Sequence, residues 1–215
     1  MIINTLGNKA PDGAATLFDG TSLDAWTNMD GAPAGWTIDD GAMKVTPGNG
    51  DVKTERLFGD HYLHLEFRLS SMPDKTGQAK SNSGVFIQGR YEIQVLDSSG
   101  WATPGFADCG AIYDQLAPLT NACKPGMEWQ TYDVIFRAPR CEGKVVREQA
   151  RLTVIHNGII IHNNVQVAGT TGAPSDLNVQ LPGHLRLQDH GDTVWYRNIW
   201  AIDLPKEGAN TYGPK

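Results

Sequence analysis

Charged and amide side chains alternate with apolar residues between Tyr91 and Asp97. Glu92 and Gln94 occupy the polar positions, and Asp97 follows just beyond them. Such alternation is typical of a β-strand that buries one of its two faces. A carboxylate, an amide and a second carboxylate along one strand can hold the hydroxyl groups of a polyhydroxylated ligand and move its protons. This segment is therefore the first candidate for a reactive site.

Two further segments alternate in the same way, at residues 64–68 and 186–190. The polar side chains of each segment share one face, and we expect it to be the face that carries Glu92 and Gln94. The full set is His64, Glu66, Arg68, Glu92, Gln94, Arg186, Gln188 and His190. The sequence thus predicts that acids, amides and guanidinium groups from several strands converge in one hollow.

The final strand-like segment, at residues 193–204, offers two sets of side chains. Trp195 and Arg197 fall on one face, and Tyr196 and Asn198 fall on the other. The sequence does not decide which pair lines the hollow. Arg197 is favoured, because a guanidinium group suits a ligand oxygen whereas Tyr196 can pack in the core.

Short strands separated by turns account for nearly the whole chain. Apolar residues nowhere recur at helical spacing over a helix-length window, and the 24 Gly and 12 Pro indicate many turns. Roughly a dozen such strands predict an all-β fold, a two-sheet antiparallel sandwich or jelly roll with a concave ligand face. We expect one domain over residues 16–205, a flexible N-terminal arm at 1–15 and a C-terminal tail at 206–215.

Composition excludes several classes of partner. Hydrophobic residues make up 40% of the 215 residues and charged residues 20%, as in a globular protein. The net charge of −6 disfavours nucleic acid and anionic membranes as partners. The sequence contains no run of 18 apolar residues, so it predicts no transmembrane helix. The first 13 residues lack the pattern of a signal peptide, so the chain is cytosolic or a signal peptide has been removed.

Three cysteines, Cys109, Cys123 and Cys141, leave two interpretations open. All three can be buried thiols. Alternatively, Cys109 and Cys123 form a disulfide that staples the loop between them, which would imply an oxidising compartment. Zinc is disfavoured, because no CxxC or HxxxH pairing accompanies the cysteines.

Eight segments, in order along almost the whole chain, resemble the 3-keto-disaccharide hydrolase domain family. They are LFDGTSLDAW (17–26), WTIDDGAMKV (36–45), LHLEFRLS (63–70), NSGVFIQGRYEIQVLD (82–97), CGAIY (109–113), EWQTYDVIF (128–136), HNG (156–158) and GHLRLQDHGDTVWYRNIW (183–200). The resemblance implies a concanavalin-A-like jelly roll, a secreted or periplasmic bacterial protein, and action on 3-keto-glycosides.

The chemistry of a 3-keto-glycoside suggests roles for individual residues. A ketone at C3 makes the C2 proton acidic, because the ketone can hold the resulting charge as an enolate. A base removes this proton, the C1 oxygen leaves, and water can add to the enone. Glu92 is the candidate base and His190 the candidate acid. Arg68, Arg186 or a divalent cation could hold the enolate oxygen.

Other polar residues are candidates for binding sugar hydroxyl groups. They are Glu66, Asn82, Gln94, Asp97, Tyr113, Arg186, Gln188 and Arg197. The loop that carries Trp101 and Tyr113 could supply an aromatic ring that stacks on a sugar. The expected partner is an oligosaccharide or glycoside substrate, and the sequence does not indicate an oligomeric state.

Two other functions stay open at this point. An acid–base glycoside hydrolase would use Glu92, Gln94 and Asp97 on one strand, although Gln94 cannot ionise. A non-catalytic glycan-binding module is the second alternative, because fold does not determine function. For single residues, Glu66 can instead be a structural carboxylate paired with an arginine, and His190 can cap an ordinary turn.

Overall fold

The computed structural model describes residues 4–206, and fifteen β-strands form its framework. The first eight are β1 (Ala15–Phe18), β2 (Trp26–Asn28), β3 (Thr37–Asp39), β4 (Ala42–Lys44), β5 (Val52–Phe58), β6 (His61–Leu69), β7 (Asn82–Ile87) and β8 (Tyr91–Leu96). The others are β9 (Trp129–Arg137), β10 (Arg140–Glu142), β11 (Val145–Glu148), β12 (Arg151–His156), β13 (Ile159–Gln166), β14 (Gly183–Leu187) and β15 (Val194–Asp203). A single 3₁₀ turn at Gly77–Ala79 is the only helical element in this part of the chain.

Two antiparallel sheets form the sandwich. Sheet A has the strand order β13-β12-β9-β6-β15-β4-β3, and β1 also pairs with β15. Sheet B has the order β2-β5-β14-β7-β8, and β10 and β11 form a separate hairpin. The prediction of an all-β, two-sheet sandwich is confirmed. Over residues 4–206 the chain contains no helix that is long and apolar enough to cross a membrane.

Alternating side chains of the two sheets meet in one core. Leu63, Leu65 and Phe67 of β6 are buried on the inner face of sheet A. Ile93 and Val95 of β8 are buried on the inner face of sheet B. Burial of a side chain of this size stabilises the fold by about 2 kcal/mol, so the inward set fixes which side chains must face outward.

A β-bulge changes the facing of β15 after Arg197. Asn198 adopts a φ of 48°, and the register with β6 shifts at this point. The Tyr196 hydroxyl donates to Ser83 Oγ across the core at 2.7 Å. Arg197 and Asn198 both donate to the Glu66 carboxylate on the outer face, at 2.7 and 2.9 Å. The prediction that Arg197 and Asn198 face opposite sides is wrong, because a bulge interrupts the alternation.

The long loop at residues 97–128 runs back along the edge of sheet B. The backbone nitrogen of Gln94 donates a hydrogen bond to Ala111 O at 2.9 Å. The Tyr113 backbone nitrogen donates to Glu92 O at 3.1 Å. The loop therefore extends the sheet beside β8 and fixes Tyr113 next to Glu92.

All three cysteine thiols are free. The predicted disulfide between Cys109 and Cys123 is therefore absent from the structure. The Cys109 thiol lies 3.2 Å from the Tyr132 hydroxyl, in the core. Packing and hydrogen bonding, rather than a covalent staple, hold this part of the loop.

The described part of the N-terminal arm contacts sheet A. Thr5 and Gly7, in the predicted flexible arm, donate hydrogen bonds to Asp133 and Glu66. The first three residues of that arm lie outside the described residues, as does the predicted tail after Lys206.

Candidate active site

A cavity of about 210 Å³ opens on the outer face of sheet B. Six of the residues predicted for the site line it: Asn82, Glu92, Gln94, Tyr113, Gln188 and His190. Gln78, Gly172 and Ala173 complete the wall. The cavity collects side chains from β7, β8 and the end of β14, which are neighbours in sheet B. The convergence predicted for these strands is therefore present.

Glu92 is the buried carboxylate of this cavity. Only 4% of the residue is exposed, and it has no ion pair with any described residue. The side-chain amide of Gln94, with its nitrogen turned towards the carboxylate, lies 3.1 Å from Glu92 Oε1. Burial raises the pKa of Glu92 to about 8, while Arg186 nearby opposes the shift and Asp51 adds to it. A carboxylate of this kind accepts a proton near neutral pH.

Gly84 provides the space that the Glu92 carboxylate occupies. A Cβ atom at position 84 would lie 2.5 Å from Glu92 Oε1 and 3.0 Å from the Phe86 ring. Any larger residue there would move the carboxylate. This role was not predicted from the sequence, although a glycine inside an alternating strand was an available signal.

Three amide side chains form a connected wall of the cavity. Asn82 Nδ2 donates to Gln78 Oε1 at 3.1 Å, and the Gln94 side chain lines the cavity beside Asn82. Gln78 Nε2 donates to Ala107 O, which ties the 3₁₀ turn to the long loop. Planar amides suit paired sugar hydroxyl groups, because each offers a donor and an acceptor side by side. Gln78 was not predicted, since it lies in a polar loop without periodicity.

Arg186 lies behind the cavity wall. Its Nη2 donates to Ala173 O at 2.8 Å, and its guanidinium carbon lies 3.6 Å from the centre of the Phe86 ring. Arg186 Nε lies 3.5 Å from Asp51 Oδ2 and has no hydrogen-bond partner. This buried cation contributes a positive field at Glu92 without forming an ion pair with it.

His190 and Tyr113 both line the cavity. His190 is exposed at the rim, and Tyr113 is half-buried. Tyr113 therefore can present its ring to a bound sugar, whereas Trp101 of the same loop does not line the cavity.

The prediction of one common hollow is wrong for β6 and β15. Both strands belong to sheet A, so their outward side chains lie on the opposite side of the sandwich from the cavity. The predicted site residues displaced in this way are Glu66, Arg68 and Arg197, together with His64. Alternation fixes which residues of a strand share a face, but it does not determine which sheet the strand joins.

Glu66 lies in a fully bonded network on the outer face of sheet A. Burial opposes its ionisation, but hydrogen bonds from His64, Asn198, Gly7 and Arg197 outweigh burial and lower the pKa of Glu66 to about 2. The reading of Glu66 as a carboxylate paired with an arginine describes this geometry. Glu66 is therefore ionised at any pH near neutrality.

His64 completes that network through a second carboxylate. Its Nδ1 lies 2.7 Å from Asp133 Oδ1, which also accepts a hydrogen bond from the Tyr62 hydroxyl at 2.6 Å. Burial lowers the pKa of His64, but hydrogen bonds to Asp133 and Glu66 outweigh it and raise the value overall. All of these groups are satisfied, and the arm residue Thr5 covers them.

Asp97 is also outside the cavity. Its carboxylate pairs with Lys80 Nζ at 3.0 Å and accepts a hydrogen bond from Ser99 Oγ at 2.6 Å. The predicted trio of Glu92, Gln94 and Asp97 therefore does not present two carboxylates to one ligand, which the acid–base glycosidase arrangement requires.

A metal site does not fit the donor set of the cavity. Among residues 4–206, no group of three or more His, Cys, Asp or Glu side chains is arranged to hold a metal ion. The cavity combines one carboxylate and one histidine with neutral amides, whereas divalent cations in proteins take several oxygen or nitrogen ligands.

A larger cavity of about 430 Å³ lies beside the β10–β11 hairpin. Its carboxylate, Asp60, forms an ion pair with Arg140 at 2.5 Å. The pKa of Asp60 is lowered, because hydrogen bonds from Arg140 and Ala138 outweigh the opposing effect of burial. A carboxylate that is held ionised by an arginine is poorly suited to proton transfer. The smaller cavity is therefore the candidate active site.

Comparison with known proteins gives concordant results. The profile of the 3-keto-alpha-glucoside-1,2-lyase-like domain matches residues 13–202. A curated protein of Bacteroides thetaiotaomicron, named 3-keto-disaccharide hydrolase, is 24% identical, and the alignment covers 87% of this chain and 77% of that protein.

Solved structures show the same sandwich. A structure from Parabacteroides distasonis, described as that of a candidate glycosyl hydrolase, superposes with a TM-score of 0.84 at 36% identity. The match covers 91% of this chain and 86% of that one. A second structure from the same organism, also described as a candidate glycosyl hydrolase, shares the fold with a TM-score of 0.68 at 18% identity. That match covers 90% of this chain and 95% of the second protein's chain.

Proposed function

The chain belongs to the 3-keto-alpha-glucoside-1,2-lyase-like family, and we propose that it cleaves 3-keto-glycosides in the cavity of sheet B. Membership of this family makes it a carbohydrate-active protein. The observation that carries the finer proposal is the environment of Glu92. It is a buried carboxylate without an ion pair, its pKa is about 8, and polar amides surround it.

Glu92 acts as the general base. It removes the C2 proton of the 3-keto sugar, and the electron pair of the C2–H bond moves into an enolate. At pH 7 about a tenth of Glu92 is ionised, and this fraction is a stronger base than an ordinary carboxylate. A base with a pKa near the working pH balances ionised fraction against basicity, which favours proton transfer.

The cavity wall stabilises the enolate and assists the leaving group. The Gln188 amide lines the cavity and can donate to the C3 oxygen, and Arg186 adds its positive field. As the enolate collapses, C3=O re-forms, a C1=C2 bond forms and the C1–O bond breaks. His190 at the rim donates a proton to the departing oxygen.

Water then completes a net hydrolysis. Its oxygen adds to C1 and its proton passes to His190, while Glu92, whose carboxyl proton exchanges with solvent before this step, protonates C2. Without the water step the same site would act as a lyase. Arg68, a candidate for the enolate oxygen from sequence, has no part in this scheme, because it lies on the other side of the sandwich.

Isotope incorporation tests this mechanism. A 3-keto-glucoside and its parent glucoside are incubated with the protein in D₂O, and the products are analysed by mass spectrometry and NMR. We expect cleavage of the keto sugar alone, with solvent deuterium at C2 of the product. Incubation without protein corrects for spontaneous exchange at C2.

Each other outcome contradicts a specific part of the proposal. Cleavage without deuterium at C2 excludes the elimination step. Cleavage of the parent glucoside indicates an ordinary glycosidase, and binding without cleavage of either sugar indicates a glycan-binding module. A secreted or periplasmic location, expected from the family resemblance, stays a prediction that cell fractionation tests.

A further inference from the structure

A straight row of four side chains crosses the outer face of sheet A. Lys44, Trp195, Arg68 and Trp129 are direct neighbours across β4, β15, β6 and β9. Three strand spacings make the row about 14 Å long. We refer to these four residues as the cation–tryptophan row.

Cations and indole rings alternate in this row and contact one another. The Arg68 guanidinium carbon lies 4.5 Å from the centre of the Trp195 ring and 5.0 Å from that of Trp129. Lys44 Nζ lies 5.6 Å from the centre of the Trp195 ring. These are cation–π distances, so the rings hold the cations at fixed positions on the sheet.

The charge of Arg68 is not neutralised by a direct partner. In the described part of the chain no carboxylate lies within 4 Å of it, and its buried Nε has no hydrogen-bond partner. Lys44, by contrast, has Asp39 at 3.4 Å. The two tryptophans thus fix a guanidinium group with unused donors on a partly exposed face.

A second cavity continues the row at one end. Arg197 lies over Trp129 at 3.9 Å and also lines a cavity of about 280 Å³ on the same face. Lys9 and Trp200 line this cavity too, and the buried Trp200 Nε1 has no hydrogen-bond partner. Basic groups and an unpaired donor can hold the acidic group of a sugar, and Asp19 is the one carboxylate among the residues that line this cavity.

We propose that the cation–tryptophan row and the adjoining cavity bind a polysaccharide that carries carboxylate or sulfate groups. A sugar ring packs against the half-buried Trp129, and the acidic groups meet Arg68 and Lys9. An acidic glycan fits better than nucleic acid or a membrane, because the row is only about 14 Å long and its cations alternate with indole rings. This surface is on the opposite side of the sandwich from Glu92, so both sites can be filled at once.

Affinity electrophoresis in native gels tests the proposal. The gels contain polygalacturonate, dextran sulfate or neutral dextran. We expect retardation by one or both acidic polymers and none by neutral dextran, and the two acidic gels distinguish carboxylate from sulfate. Arg68→Met should weaken binding at least tenfold. Arg147→Met is the matched control, because Arg147 is exposed on β11, where it pairs with Glu142.

Further variants separate binding from folding and from catalysis. Lys44→Met removes the exposed end of the row without disturbing the core and should also weaken binding. Glu92→Gln should bind the acidic polymer normally, and Arg68→Met should cleave a small 3-keto-glucoside at the wild-type rate per folded molecule. Melting curves identify any variant that fails to fold.

The proposal is overturned by any of three results. If the wild type migrates equally in all gels, the row has only a structural role. Arg147→Met can weaken binding as much as Arg68→Met, which would indicate non-specific charge. Single-stranded DNA can compete as well as the acidic glycan, which would indicate a general polyanion surface.

Discussion

The two outer faces of the sandwich each hold a buried glutamate, and the two carboxylates differ in their charge partners and hydrogen bonds. Glu66 on sheet A accepts hydrogen bonds from both a guanidinium group and a backbone amide, and its pKa is about 2. Glu92 on sheet B has no ion pair, and its pKa is about 8. Equal burial therefore does not imply equal function. A carboxylate with all its bonds made stabilises the fold, whereas one left without a charge partner is available for proton transfer.

The largest expected difference is in catalysis. Glu92→Gln should reduce turnover of a 3-keto-glucoside by about a thousandfold, because the amide cannot accept the C2 proton. Glu66→Gln is the matched control and should keep turnover within a few fold per folded molecule. Steady-state kinetics on both variants checks this, and equal losses would mean that Glu92 is not the base.

The pH dependence of catalysis should reflect the Glu92 carboxyl group. Since the base must be ionised, kcat/KM of a His190→Gln variant, in which the acid no longer titrates, should rise about tenfold per pH unit below the pKa of Glu92 and level off near pH 8. A rate profile from pH 5 to pH 9 measures this. A plateau that is already reached at pH 5 would contradict the role of a desolvated carboxylate.

Stability should respond to the other glutamate. Glu66→Gln leaves Arg197 and the His64 network with a missing charge partner, and we expect a loss of about 3 kcal/mol in the free energy of unfolding. Urea denaturation at pH 7 measures the loss. Glu92→Gln should cause no comparable loss, and a reversed order would contradict the comparison between the two faces.

Gly84→Ala should separate the position of Glu92 from its chemistry. The added Cβ would meet Glu92 Oε1 at 2.5 Å and displace the carboxylate, so activity should fall about tenfold or more. Gly59→Ala, where nothing lies within 4 Å of the new Cβ, is the control and should leave activity unchanged. Unaltered activity in Gly84→Ala would show that the carboxylate position is not critical.

The pH dependence of stability should also reflect the Glu92 carboxyl group. The folded chain binds the Glu92 proton more tightly than the unfolded chain, so wild-type stability falls as pH rises from about 4.5 to about 8. Glu92→Gln lacks this loss. Its melting temperature relative to wild type should therefore increase between pH 5 and pH 8. A constant difference across that range would indicate an ordinary Glu92 pKa.

Local sequence patterns were sufficient for the strands and for one half of the site. Alternation at residues 91–96 correctly assigned Glu92 and Gln94 to the outer face, because burial of Ile93 and Val95 leaves no other choice. Residues 82 and 188 reach the same cavity because β7 and β14 pair with their neighbours in sheet B.

The rest of the site depended on long-range pairing. Residues 64–68 show the same alternation as residues 91–96, but β6 pairs with β9 and β15 rather than with β8. No local pattern contains that information. The bulge at Asn198 and the contribution of Gln78 are also consequences of tertiary contacts, which periodicity cannot indicate.

The backbone of the loop at residues 108–116 has a consequence for the behaviour of the protein in solution. Strand β8 is the outermost strand of sheet B, and Gly110, Ala111 and Tyr113 occupy the hydrogen-bonding groups along its free side. An uncovered outer strand is a template for pairing with another molecule and for aggregation. The segment that shapes the sugar cavity thus also closes this edge of sheet B to pairing with neighbouring copies of the protein.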